Sequence, residues 1–372
     1  MTVKRARTHN SNWYAMRIVS AAMQNGGYRI IRNSLCLIII AVLILFSCKK
    51  ENNQIENTPQ NNFQVLWDDF NSNYPAFQLN NINWDSIYTV NFVKIDSSTT
   101  DYDLFNILNS SILTLKDAHS DIISNQFGST NYYDVFVRQK PANHPDWNTI
   151  FTKYVKLTKF NHANATMGYG KVINQDIGYF LIESFDEDEN DYYMVDSFLE
   201  DFQNSKAIII DIRNNGGGNE AYAQIIASRL TNKAVIYRYY RYRNGDKYSD
   251  LGDFESLTLH PHGKLKFTKP VILITNRHTF SAAEDFTLML RSLPNVVHLG
   301  DTTFGGVATH PVIKNLPNGW SYRMARTLLF DRNKVPIKGG IPPHLVVQIS
   351  KSDSINGVDR IIEEAIIKIN ER

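Results

Sequence analysis

The chain has 372 residues, a formal charge of only +2, 43% apolar residues and two cysteines. That length allows one large or two modest domains with a substantial core. Two cysteines exclude a disulfide-stapled scaffold, and the body of the chain shows no basic patch or module suited to nucleic acid.

Residues 1–48 read as an address. They hold six basic residues, no acidic one, and an apolar core from Leu35 to Phe46. Twelve apolar positions fall short of a bilayer span but fit a signal-peptide core. The core ends in Leu45-Phe46-Ser47-Cys48, which resembles a bacterial lipobox, where cleavage leaves a lipidated cysteine at the new N-terminus. An uncleaved membrane anchor is the alternative. Cys36 and Cys48 both lie here, so the mature domain would contain no thiol nucleophile, disulfide or cysteine metal ligand. Without this segment 33 basic residues face 37 acidic ones, a net charge of −4. Residues 49–62, KKENNQIENTPQNN, offer almost nothing to bury and read as a flexible tether.

Helical periodicity follows from Phe63 to about Leu115. Three amphipathic segments centre on Phe63–Phe70, Trp84–Val90 and Leu104–Leu115, with a polar break at Asn81–Asn83. They predict a small bundle over 63–120, ending in LKDAHS. From residue 121 onward strand character takes over, in YYDVFV (132–137), YVKLTKF (154–160) and IGYFLIESF (177–185). A helix is predicted over 190–202, then strands over 207–212, 234–242, 271–274, 296–299 and 322–330, with a closing helix over 358–369. This alternation places residues 121–372 in the α/β class.

Three groups of residues could carry chemistry. Ser281 stands between an apolar strand and a run of helix formers, as a helix cap or as a nucleophile near a helix N-terminus. The loop DIRNNGGG (211–218) lies where a buried strand meets a helix, and its glycines expose N–H groups suited to an anion. No Lys-Ser/Thr follows it, so a phosphate loop is disfavoured, and a plain turn is the bland alternative. His119, in LKDAHS, is a candidate general base beside such a serine and nest.

The ordered set LKDAHS, AIIIDIRNNGGG, TNRHTFSAAEDF, GDTTFGG and GGIPPH resembles the C-terminal processing (tail-specific) peptidase family, and within it the branch related to the tricorn protease core. The resemblance runs from about Trp67 to the C-terminus. It implies a crotonase-like β/α spiral core behind the N-terminal helical bundle, and a serine peptidase mechanism needing no metal or organic cofactor. Ser281 falls on the nucleophile, with Glu284 completing an S-x-x-E pattern. The lysine of Ser–Lys members would stand at Gly306, so the base is expected at His119, with His310 as a secondary candidate.

The glutamate that helps orient the histidine in the tricorn branch is replaced by Ile337, and an aspartate of the G-x-P motif by His344. Asp117 and Asp331 are the carboxylates left as possible third members. The oxyanion donors are expected at Gly217, Gly218 and Ala282, with Asp211 and Arg213 bracing the loop. About 55 residues separate His119 from Asp176, too few for an inserted PDZ domain. The run RYYRYRNG (238–245) is a candidate groove lining or, alternatively, a solvated edge strand. The expectation is a lipid-anchored envelope endopeptidase acting on peptides or unfolded proteins. A degenerate relative that binds peptides or apolar ligands without hydrolysis is the rival.

Overall fold

The computed structural model describes residues 55–129, 131–133, 146–161, 166–306 and 308–371. The expected signal segment and Cys48 lie outside these residues. Helix α1 (Pro59–Asn73) starts where Thr58 Oγ1 accepts the Asn61 N–H at 3.2 Å, with Pro59 in the first turn, where its missing N–H costs nothing. The last four residues of the expected tether, 59–62, are therefore helical. Asn81 ends a short helix in the left-handed region, φ 60°. Asn83 and Thr100 then cap α2 (Trp84–Phe92) and α3 (Asp101–Leu113).

These three helices do not close a core by themselves. Trp67 and Trp84 donate their indole N–H groups to each other's carbonyls at 3.2 and 3.1 Å. The buried face of Phe63, Phe70 and Leu108 then packs in one cluster with Ile122, Tyr322 and Met324 of the strand region. The expected boundary at residue 120 is a change of secondary structure inside one compact unit from Ile55 onward.

The strands run β1 (Asp121–Ser124), β2 (Gly128–Ser129), β3 (Val155–Phe160), β4 (Met167–Val172) and β5 (Ile177–Ile182). Helix α4 (Met194–Phe202) leads to β6 (Ala207–Asp211), and α5 (Glu220–Ala227) to β7 (Val235–Tyr242), β8 (Glu255–Leu259) and β9 (Val271–Thr275). After α6 (Ala282–Arg291) come β10 (Val296–Gly300), β11 (Ala308–Thr309), β12 (Val312–Asn315), β13 (Ser321–Met324), β14 (Thr327–Asp331) and β15 (Leu345–Val346), and α7 (Arg360–Asn370) closes the chain.

Several expectations change in detail. Tyr132 and Tyr133 are helical rather than extended, and residues 134–137 lie outside the described set. The single strand expected over 322–330 is two, β13 and β14, in different sheets. The helix expected over 190–202 is interrupted at Tyr193. β7 lies between β14 and β8, so RYYRYRNG does not begin on an edge strand.

The central sheet has the order β15-β10-β9-β6-β5-β4-β3, parallel from β5 to β15. β6 and β9 are fully buried, adjacent and apolar up to their last residues, with Ile209 opposite Ile272. Parallel pairing sends the loops after both strands out at the same edge, and an open α/β sheet places its ligand sites there. The α/β core behind an N-terminal helical segment is thus as the sequence leads one to expect.

An ionic clamp sets the base of the first loop. Arg213, 1% exposed, donates to both Asp211 oxygens and to Asp359 Oδ2 at 2.7 Å. Asp359 Oδ1 in turn caps α7 through the N–H groups of Ile361 and Ile362. Arg213→Met would strand two buried carboxylates without a counter-charge, at a cost of roughly 3–5 kcal/mol. Its urea midpoint should fall accordingly; an unchanged midpoint would show that the clamp is not structural.

Candidate active site

Ser281 follows β9 on a sharp turn, at φ 57° and ψ −123°. A non-glycine residue there carries backbone strain of about 1–3 kcal/mol, which persists only when its neighbours fix it. They do. The Phe280 N–H donates to the Asn215 carbonyl at 2.9 Å, and the Ser281 N–H to Glu284 Oε2 at 3.3 Å. The serine hydroxyl also meets the histidine. Its Oγ stands 3.0 Å from Nε2 of His119, across 162 positions of sequence.

His119 enters on the short segment between α3 and β1. β1 pairs antiparallel with β13, Asp121 opposite Arg323, and this holds the segment beside the catalytic edge. The imidazole stacks on Phe280 with centroids 4.7 Å apart. Asp117 Oδ1 accepts the backbone N–H of His119 at 2.9 Å, and Oδ2 the Ser120 hydroxyl at 3.1 Å. Burial pushes the Asp117 carboxyl up to about 6 against those bonds. Asp117 therefore orients the histidine backbone and not its ring.

The other expected third member, Asp331, is also misplaced. Its carboxylate accepts the turn N–H groups of Asn333 and Val335. Ile337, at the family's glutamate position, is buried in the main apolar cluster.

Of the three expected oxyanion donors, two line the cavity beside Ser281. The Gly217 N–H is already donated to Asn215 Oδ1 at 2.9 Å. That is the local turn an asparagine makes two residues ahead of itself, and the pair Asn215–Gly217 carries its signature. Gly218 and Ala282 line the cavity beside Ser281, and their N–H groups have no partner among the described residues. Ala282 is the first helical residue, whose amide has no acceptor within the helix. Gly218 sits at φ 133°, and a Cβ there would lie 2.2 Å from the Phe185 carbonyl, so only glycine fits.

Glu284 ties the site together. Buried, it accepts from Thr303 Oγ1 at 2.7 Å, the Gly305 N–H at 2.8 Å and the Gly306 N–H at 3.0 Å, besides Ser281. Burial raises its pKa, and these bonds pull the other way. Gly306, where the Ser–Lys members would carry lysine, stands against the imidazole: a Cβ on it would meet His119 Cε1 at 3.1 Å.

The cavity, ≈ 290 Å³, is also lined by Glu220, Asp285, His310 and Arg323. His310 bonds Thr327 Oγ1 at 2.8 Å, and burial with the nearby Arg238 guanidinium lowers its pKa. Asp285 and Glu220 share the buried Arg238 at 3.2 and 3.1 Å, and burial pushes the Asp285 carboxyl up. Sequence reasoning missed Glu220 and Asp285 and gave Arg238 only as the start of the 238–245 run, because the three sit on separate elements with no shared motif.

The profile of peptidase family S41 matches residues 176–347, and that of the tricorn protease C1 domain residues 55–111. A provisionally assigned peptidase from Parabacteroides merdae ATCC 43184 is 32% identical, covering 84% of this chain and 97% of its own, with a TM-score of 0.75. The chain belongs to peptidase family S41. The carboxy-terminal processing protease CtpA of Bacillus subtilis (strain 168) is 27% identical to this S41 chain over 185 residues. That match spans 49% of the chain but only 37% of CtpA. Mature CPAF shares the fold, with a TM-score of 0.64 at 12% identity over 84% of this chain and 98% of its own. S41 membership supports a serine peptidase.

The raised Asp117 pKa has a stability signature. The native state holds its proton more tightly than the unfolded chain, whose aspartates titrate near 3.9. Asp117 thus adds stability below that value and loses it as pH rises through about 6. The denaturation midpoint of wild type relative to Asp117→Asn should rise as pH falls from about 7 to about 5. A difference that stays flat would contradict this environment.

Proposed function

We propose that this S41 member hydrolyses peptide bonds through an acyl-enzyme on Ser281, with His119 as general base. The observation that carries the reading is the 3.0 Å contact between Ser281 Oγ and His119 Nε2. A base in that position needs Nε2 unprotonated, hence the Nδ1–H tautomer. His119 takes the hydroxyl proton as Oγ attacks the scissile carbonyl carbon, whose oxygen becomes negative between the Gly218 and Ala282 N–H groups. Collapse breaks the C–N bond, and the imidazolium returns its proton to the leaving amine. A water molecule, deprotonated by the same imidazole, then releases the acyl group and restores the serine. Phe280 stacks on the imidazole and Asp117 holds the His119 main chain, and both contribute to its orientation.

The rival, a relative that binds peptides or apolar ligands without hydrolysis, draws support from Ile337 in place of the glutamate. A fluorophosphonate probe separates the two. Wild type should label and Ser281→Ala should not. His119→Ala should lower peptide hydrolysis by about 10⁴-fold or more while keeping its fold, whereas His310→Ala should not. An unlabelled wild type favours the rival, and an inactive His310→Ala beside an active His119→Ala moves the base.

We also propose that Cys48 carries the lipid of an envelope lipoprotein, on the evidence of the short apolar core ending in LFSC and the polar residues beyond it. No described helix is long and apolar enough to cross a membrane. Cys48→Ala should move the protein out of the detergent-extracted membrane fraction or leave it at precursor mass. Unchanged fractionation and mass would refute lipidation.

A further inference from the structure

Gly218 and Ser281 follow different strands, and the strand ladder stops short of both. β6 and β9 pair in parallel as far as Asp211 opposite Ile274, with one more bond from the Ile212 N–H to the Ile274 carbonyl at 3.0 Å. The glycine loop (212–218) and the serine turn (276–281) then run on side by side. A Cβ on Gly217, at φ 100°, would lie 2.7 Å from the Phe280 carbonyl oxygen and 3.0 Å from the Ala282 nitrogen. The two segments are thus in contact. Among the described residues one backbone hydrogen bond crosses between them, from the Phe280 N–H to the Asn215 carbonyl.

Side chains of the serine turn make the other crossings. Asn276 and Thr279 are both buried. Asn276 Oδ1 accepts the N–H of Asn214 at 3.0 Å across the gap and that of His278 at 3.1 Å on its own side. Two N–H groups on one oxygen fix the orientation of the carboxamide, and its Nδ2 donates back to Asn214 Oδ1 at 2.7 Å. Asn214 itself is held at φ 63°, a conformation asparagine tolerates better than most residues. Thr279 Oγ1 donates to the Ile212 carbonyl at 3.1 Å and accepts the Asn276 N–H at 3.1 Å, so the two side chains brace each other.

We propose that Asn276 and Thr279 are positioning residues that set the spacing of the two oxyanion donors, and through it the rate of acyl transfer. This rests on the reading of Ser281 as nucleophile. The Gly218 N–H comes from the glycine loop and the Ala282 N–H from the end of the serine turn. A developing oxyanion must meet both at about 2.7–3.1 Å, so the donors are only as well placed as the two segments are registered. The described residues lining the catalytic cavity include neither Asn276 nor Thr279, which therefore act through the backbone they hold.

Three full-chain variants test the clasp. Asn276→Ala removes the carboxamide, Thr279→Val replaces the hydroxyl with a methyl of similar size, and Thr279→Ser keeps the hydroxyl. Hydrolysis of a fluorogenic peptide gives kcat and KM. A peptide aldehyde of the same sequence reports the hole itself: Ser281 Oγ adds to the aldehyde carbon, its proton passes to His119, and the carbonyl oxygen is left between the donors. A labelled peptide bound to each variant in a Ser281→Ala background reports ground-state affinity by anisotropy. Asn276→Ala should lower kcat by about 10²-fold and weaken the aldehyde by a comparable factor, with KM and peptide affinity within about twofold of wild type. Thr279→Val should move the same way, and Thr279→Ser should stay within about threefold of wild type. A merely structural role would reduce the active fraction and leave aldehyde affinity unchanged. Unchanged aldehyde affinity in Asn276→Ala, or a loss carried by KM and peptide affinity, overturns the proposal. If Asn276→Ala does not fold, Thr279→Val against Thr279→Ser decides by the same criteria. A wild type that cleaves no peptide and takes up no aldehyde sinks the peptidase reading and the clasp with it, whereas a wild type inhibited no better than the variants sinks the clasp alone.

Discussion

One buried carboxylate holds the catalytic edge together. Glu284 lies on the first turn of α6 and takes hydrogen bonds from the Ser281 amide, the Thr303 hydroxyl and the amides of Gly305 and Gly306. Removing an ionised carboxylate from water costs several kcal/mol, and four donors converging on it offset that cost. The result is a rigid link between the turn that strains the serine and the loop that stands against the histidine. Neither segment could be moved alone, because each satisfies part of the same charge.

That link explains how the site tolerates its departures from the family pattern. With glycine at 306, the imidazole has room beside the loop, and a residue with a side chain there would press on His119 Cε1. With Ile337 in the core, no carboxylate arrives from that direction, and Asp117 works from behind, through the backbone N–H of His119. The imidazole stacks on Phe280, and its main chain is held by Asp117.

Charge is distributed unevenly around that edge. Arg213 sits between Asp211 and Asp359 beneath the glycine loop, and Arg238 between Glu220 and Asp285 beside the catalytic cavity. Each arginine is buried with two carboxylates, so the interior beside the serine is neutral or negative. Lys116, Arg277 and Lys338 line a second cavity against Phe304 and Gly305, with Asp301 its one acidic lining residue among those described.

Local chemistry made much of this legible from the sequence. Ser281 at a strand-to-helix turn, the glycine loop after an apolar strand, and the bracing by Asp211 and Arg213 all follow from patterns within about ten residues, and the structure keeps each. The Asx-type turn from Asn215 to Gly217 was legible in principle, since asparagine side chains bond their own backbone two residues on. What only the tertiary structure decided are the pairings between distant segments. The approach of His119 to Ser281 spans 162 positions, and it depends on the antiparallel register of β1 with β13 and the parallel register of β6 with β9. The fates of Asp117 and Asp331 were likewise invisible, because a carboxylate's role is set by which donor it meets in space. Periodicity encodes which face of an element is buried; it does not encode which other element will cover that face.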